Sequence, residues 1–131
     1  MIRILVADDE SEIRTLVVKI LRSRGYRTIE ATNGADALDL AIKYHPDLVL
    51  SDVMMDCGSG FMLREMLLDE KKTASIPVIL MTGRAQRTGA WRVDPEVEYL
   101  EKPFTVSQLM AAVDLKLAPK RRKPIVVVKG R

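Results

Sequence analysis

Three apolar stretches of this chain, around Ile4-Leu5-Val6, Leu48-Val49-Leu50 and Val78-Ile79-Leu80-Met81, are continuous rather than alternating. A strand with one face in water alternates apolar and polar residues; a strand covered on both faces does not. Between the runs the period changes. Ile13, Leu16, Val17, Ile20 and Leu21 fall on one face of a helix over 11–24. Ser11 is placed to cap that helix, and Gly25 to end it in the left-handed conformation. Buried strands separated by helices require a parallel sheet covered on both sides.

The rest of the chain continues the alternation. Strands are expected over Arg3–Ala7, 26–31, 47–52, 76–82 and 97–103. Asn33 is placed to cap a helix over about 35–45, which ends before His45-Pro46. A third helix covers about 60–71 and is apolar on most sides. The last covers 105–118, with Val106, Leu109, Met110, Val113 and Leu117 inward. Residues 83–96, "GRAQRTGAWRVDPE", should hold a helix too, but Gly89 and Pro95 interrupt it, so only a short helix over about 84–92 is expected. The fold class is α/β, a doubly wound five-stranded parallel sheet of (βα)5 type. The methionines read as core filler and His45 as a helix-end residue.

A chain of 131 residues is long enough to close one core. No apolar run approaches the roughly 20 residues that span a bilayer. Met1-Ile2-Arg3-Ile4 lacks the shape of a secretory signal, and the single Cys57 fits a reducing compartment, so a cytoplasmic protein without membrane contact is expected. The formal charge of +3 is unevenly spread. Residues 119–131 carry six basic residues and no acid, which leaves 1–118 at −3. The expected division is a domain over 1–118 and a basic tail or linker over 119–131.

In an open parallel sheet, ligands bind at the carboxyl ends of the strands. The first strand delivers Asp8, Asp9 and Glu10 there, the third Asp52, the fourth Thr82 and the fifth Lys102. An all-oxygen cluster of acids favours a hard cation such as Mg²⁺, which shares its shell with phosphate. The lysine supplies a point charge for an anion and the threonine a hydrogen bond. Acids, metal and lysine around one strand-end carboxylate describe phosphoryl transfer, with Asp52 as a nucleophile that becomes an acyl phosphate.

The segments "ILVADDE", "LVLSDVMMDCGSGF", "VILMTGRA" and "YLEKPF" resemble the signature segments of the response-regulator receiver domain (CheY-like) of two-component signalling, over about 1–118. The resemblance implies a flavodoxin-like sheet of order 2-1-3-4-5. It implies that Asp52 is the phosphoacceptor, that Asp9 binds Mg²⁺ directly and Asp8 through water, and that the Met54 backbone carbonyl completes the protein's ligands. Thr82 and Lys102 then bind the phosphoryl oxygens. Tyr99 matches the aromatic that turns inward with the threonine, so the readout face is built from the helix after the fourth strand, the fifth strand and the last helix.

The implied partners are a sensor histidine kinase or phosphotransfer protein, and a downstream effector or a missing output domain. Nucleic acid is touched only through such an output domain, and a homodimer could form through the readout face. Met54 and Arg84 occupy the positions where the family varies its dephosphorylation rate, and a slow rate is expected here. Asp56 stands where the family often has proline; Gly60 matches the pattern; "VDPEVEY" replaces the usual Gly-Ala ahead of the aromatic. Two other readings fit parts of the pattern. A Mg²⁺-dependent aspartyl-phosphate phosphatase would need an acid at position 54, where Met54 stands. A degenerate receiver would act as a phosphorylation-independent binding module.

Overall fold

The computed structural model describes residues 1–55, 58–83 and 94–121, with Lys120 and Arg121 described by their backbone alone. The expected short helix over 84–92, together with Asp56, Cys57, Arg84 and the tail beyond 121, lies outside the described residues. The elements in order are β1 (Arg3–Ala7), α1 (Ser11–Ser23), β2 (Arg27–Ala31), α2 (Gly34–Tyr44), β3 (Leu48–Asp52), α3 (Gly60–Asp69), β4 (Val78–Thr82), β5 (Glu98–Glu101) and α4 (Val106–Arg121). α4 is thus the helix expected last in the chain.

The strands form one parallel sheet in the order β2-β1-β3-β4-β5. Every residue of β3 and β4 is buried, and β1 is buried after Arg3, as continuous apolar runs require. The outer strands β2 and β5 are partly exposed. Two apolar layers cover the sheet. On one side Val17, Val18 and Leu21 of α1 meet Leu109, Val113 and Leu117 of α4 over Ile4, Val6, Leu50 and Met81. On the other, Ala37 and Ala41 of α2 and Leu63 and Leu67 of α3 pack over Leu5, Val49, Val78 and Leu80. Side chains from adjacent strand positions go to opposite layers, the doubly wound arrangement.

The helix ends show which local signals act. Asn33 Oδ1 accepts a hydrogen bond from Asp36 N–H at 2.8 Å, the expected cap of α2. Gly25, at φ +89°, ends α1 as expected. Ser11 does not cap. It is the first residue of α1, Glu10 precedes it in extended conformation, and no side chain closes that end. The Glu10 main chain is taken up by the turn that closes β1. Two apolar residues face water against expectation: Leu16 is 57% exposed and Val106 46%. Each lies at the margin of its helix's apolar stripe, whose centre the sheet fully covers. α4 runs to Arg121 instead of stopping at 118 and holds Pro119 in its last turn. Met81 and Met110 fill the core, but Met54 and Met62 are exposed and are not filler.

Candidate functional site

β1, β3, β4 and β5 all point their carboxyl ends at one rim, and the polar residues that end them gather there. Asp8, Asp52 and Thr82 are buried side chains at the last strand position or just beyond it. Lys102 follows β5 and is anchored through its main chain, its N–H donating to the Thr82 carbonyl at 2.7 Å. Its ammonium then lies 3.2 Å from Asp52 Oδ1, 3.4 Å from Asp8 Oδ2 and 3.7 Å from Glu10 Oε1. One cation therefore gathers three acids.

Among the described residues, Asp8, Glu10 and Asp52 offer carboxylate oxygens that all lie within 4.8 Å of one another. That spacing and all-oxygen chemistry fit a hard divalent cation. The family resemblance implies Asp9 as the direct metal ligand; the acids brought together here are Asp8, Glu10 and Asp52, with Asp9 exposed beside them. The cause is local. Asp8 Oδ1 accepts the Glu10 N–H at 2.9 Å, an Asx turn that folds Glu10 toward the lysine. Met54, two residues past Asp52, is 62% exposed.

The electrostatics follow from burial. Asp8 and Asp52 are both pushed above the ordinary carboxylate value of 3.8, because burial disfavours their charged forms more than Lys102 favours them. Neighbouring acids add to this: the charge of Asp8 raises Asp52, and that of Glu10 raises Asp8. Burial opposes the charge on Lys102, but Asp52 and Asp8 outweigh it and hold its pKa above 10.5. Three carboxylates against one ammonium leave the rim short of positive charge. A divalent cation relieves that shortage.

Three further supports hold the site, the first two of them not legible in the sequence as such. Arg14 Nη1 donates to the Asp8 carbonyl at 2.8 Å while its Nε pairs with Glu30 at 3.2 Å, tying the end of β1 to α1 and β2. The Ser51 hydroxyl donates to the Asp52 carbonyl at 2.9 Å. Gly60 sits so close under β3 that a Cβ there would collide with the Asp52 carbonyl oxygen and lie 3.0 Å from Val53 Cα. Serine and arginine are too common to signal such roles alone, but a glycine eight residues after a strand-end acid is a readable signal. Tyr99 is half-buried, and its hydroxyl accepts the Asp94 N–H at 2.8 Å.

Known proteins resemble this chain in sequence and in fold. The chain is 32% identical over 133 aligned residues to the phosphate regulon transcriptional regulatory protein PhoB of Escherichia coli (strain K12), covering 98% of this chain and 58% of PhoB. It thus spans a little over half the length of that relative. It is 32% identical to Protein PilH of Pseudomonas aeruginosa, covering 90% of this chain and 99% of PilH. The receiver domain of the hybrid histidine kinase CckA superposes with a TM-score of 0.73 at 29% identity, covering 88% of this chain and 98% of that one. CheY4 of Vibrio cholerae superposes with a TM-score of 0.79 at 25% identity, covering 89% of this chain and 99% of CheY4. Residues 4–114 match the family described as the response regulator receiver domain, and the chain belongs to that family.

Proposed function

We propose that the protein accepts a phosphoryl group on Asp52 from a sensor histidine kinase or a phosphotransfer protein, in a Mg²⁺-dependent reaction. The observation that carries this reading is the meeting of Asp52, Asp8 and Lys102 within hydrogen-bonding and ion-pairing distance at one strand-end rim. Asp8 and Asp52 would hold the cation together with the Met54 backbone carbonyl and Asp9 from the exposed side, with Glu10 the further acid within reach of them. When bound, Mg²⁺ supplies positive charge against the carboxylates and the incoming phosphoryl oxygens.

An Asp52 carboxylate oxygen attacks phosphorus, an O–P bond forms, the N–P bond of the phosphohistidine breaks, and the imidazole leaves carrying a proton. Lys102 moves from pairing with Asp52 to pairing with the phosphoryl oxygens, and Thr82 donates its hydroxyl to one of them. Tyr99 follows Thr82, and the face around β5 and α4 changes for an effector or an output domain. The chain turns over no separate substrate: the chemistry is its own phosphorylation and hydrolysis. The predominance of receiver relatives also supports a cytoplasmic site of action, with residues 1–118 as the receiver and 119–131 as tail or linker.

Incubation with acetyl phosphate and Mg²⁺ should add one phosphoryl group, stable in acid and labile to base and hydroxylamine. The adduct should vanish in Asp52→Asn and with a chelator. No adduct under any condition would favour the phosphorylation-independent binding module instead.

A further inference from the structure

Arg64 of α3 is an arginine only 9% exposed as a residue, and a charged side chain is seldom so buried without a partner. Its Nε donates to Asp94 Oδ2 at 3.1 Å, across 30 positions of chain. Asp94 is fixed further by two contacts of its own turn. Its Oδ1 accepts the Glu96 N–H at 2.9 Å, and its carbonyl accepts the Val97 N–H at 3.1 Å. The same turn is tied to α4, since Lys116 Nζ donates to the Glu96 carbonyl at 2.6 Å. What this rigid turn presents is the Asp94 N–H, and the group that takes it is the Tyr99 hydroxyl at 2.8 Å. Asp94 precedes β5, whereas Thr82 ends the neighbouring β4. The tyrosine hydroxyl is therefore turned back toward the start of the strand, away from the phosphorylation rim.

We infer that Arg64 is a positioning residue, which with Asp94 forms a latch that holds Tyr99 in its unphosphorylated position. The inference rests on the reading of Tyr99 as the switch aromatic. Tyr99 can follow Thr82 only by giving up the Asp94 N–H, so the resting balance between the two positions depends on how firmly Arg64 fixes that donor. α3 starts against the Asp52 carbonyl at Gly60 and carries Arg64 one turn later, which places the latch on the helix nearest the phosphoacceptor's main chain.

The test uses the full chain labelled with 3-fluorotyrosine, with Tyr99→Phe identifying the Tyr99 signal among those of Tyr26 and Tyr44. The wild-type Tyr99 signal should move when acetyl phosphate and Mg²⁺ are added. In unphosphorylated Arg64→Gln it should already lie part of the way along that path, as the switched population rises by about three- to tenfold, the net size of one ordinary hydrogen bond, because the variant loosens the donor and does not remove it. Arg64→Lys should bring it part of the way back, and Tyr26 and Tyr44 should stay still, which a general loosening of the fold would not allow. If Arg64→Gln does not fold, Asp94→Asn should give a smaller shift in the same direction. A wild-type signal that moves on phosphorylation while both variants rest at the wild-type position overturns the latch and leaves the switch standing. A wild-type signal that never moves, with the adduct present by mass, overturns both.

Discussion

Asp8 and Asp52 carry a pH dependence that can be assigned a sign. Burial raises both above 3.8, so each holds a proton more readily in the folded chain than in the unfolded one. The stability they contribute is complete below their unfolded pKa and is lost as pH rises through the folded values. Metal-free protein should therefore lose stability relative to Asp52→Asn as pH rises from about 4 toward neutrality. Mg²⁺ should reverse much of that loss by binding the ionised carboxylates. Asp94 runs the other way: the Glu96 N–H, then Arg64, hold it below its usual range, so its contribution is present at neutral pH and fades in acid. Urea midpoints of both proteins at several pH values, with EDTA or Mg²⁺, check the sign. A wild type that gains on the variant with pH in EDTA would contradict it. If Met54, exposed two residues past Asp52, acts on the acyl phosphate as proposed, its long apolar side chain would obstruct an attacking water. Met54→Asn combined with Arg84→Glu should speed loss of the acyl phosphate by roughly tenfold, about 1.4 kcal/mol of barrier, measured as decay of the adduct.

At the scale of elements, α3 is the piece whose placement matters most to the acceptor. Ser59 caps it, accepting the Met62 N–H at 3.2 Å, and Gly60 lets it approach the backbone of β3. Gly60→Ala should cost about 1–3 kcal/mol through overpacking and slow phosphorylation by acetyl phosphate at least about tenfold, because the Asp52 main chain has to yield. Ser59→Ala should cost about 1 kcal/mol and leave the rate nearly unchanged. Comparing the two by denaturation and by adduct formation separates loss of stability from loss of position.

The same elements show what a sequence can disclose. β1, β3 and β4 were legible because burial on both faces leaves no room for polar residues, and α2 because Asn33 carries its cap in one side chain. Leu16 and Val106 were misplaced because an apolar stripe read from spacing has no known edge until a neighbour covers it. Ser11 failed as a cap because the turn closing β1 already fixes the residue ahead of it. The Arg64–Asp94 pair was illegible, since nothing local joins residues 30 apart.

For the molecule as a whole, the rim residues Asp8, Asp52, Thr82 and Lys102 were legible because each stands at the end of a strand, and strand ends in a parallel sheet share one pole. The division at 118 is crossed by α4, which continues to Arg121. A chain ending at Arg121 should take phosphate from acetyl phosphate at the full chain's rate, whereas one ending at Ala118 loses part of the last turn and should melt lower. Parallel thermal scans and adduct kinetics on the two truncations decide this. The bond from Lys102 to Asp8 closes 94 positions of chain, from the first strand to the last. A ribosome must release almost the entire domain before that contact can exist. Nascent or clipped copies lacking β5 would hold Asp52 without its counter-charge, so any phosphoryl transfer to it would have to wait until that last strand is in place.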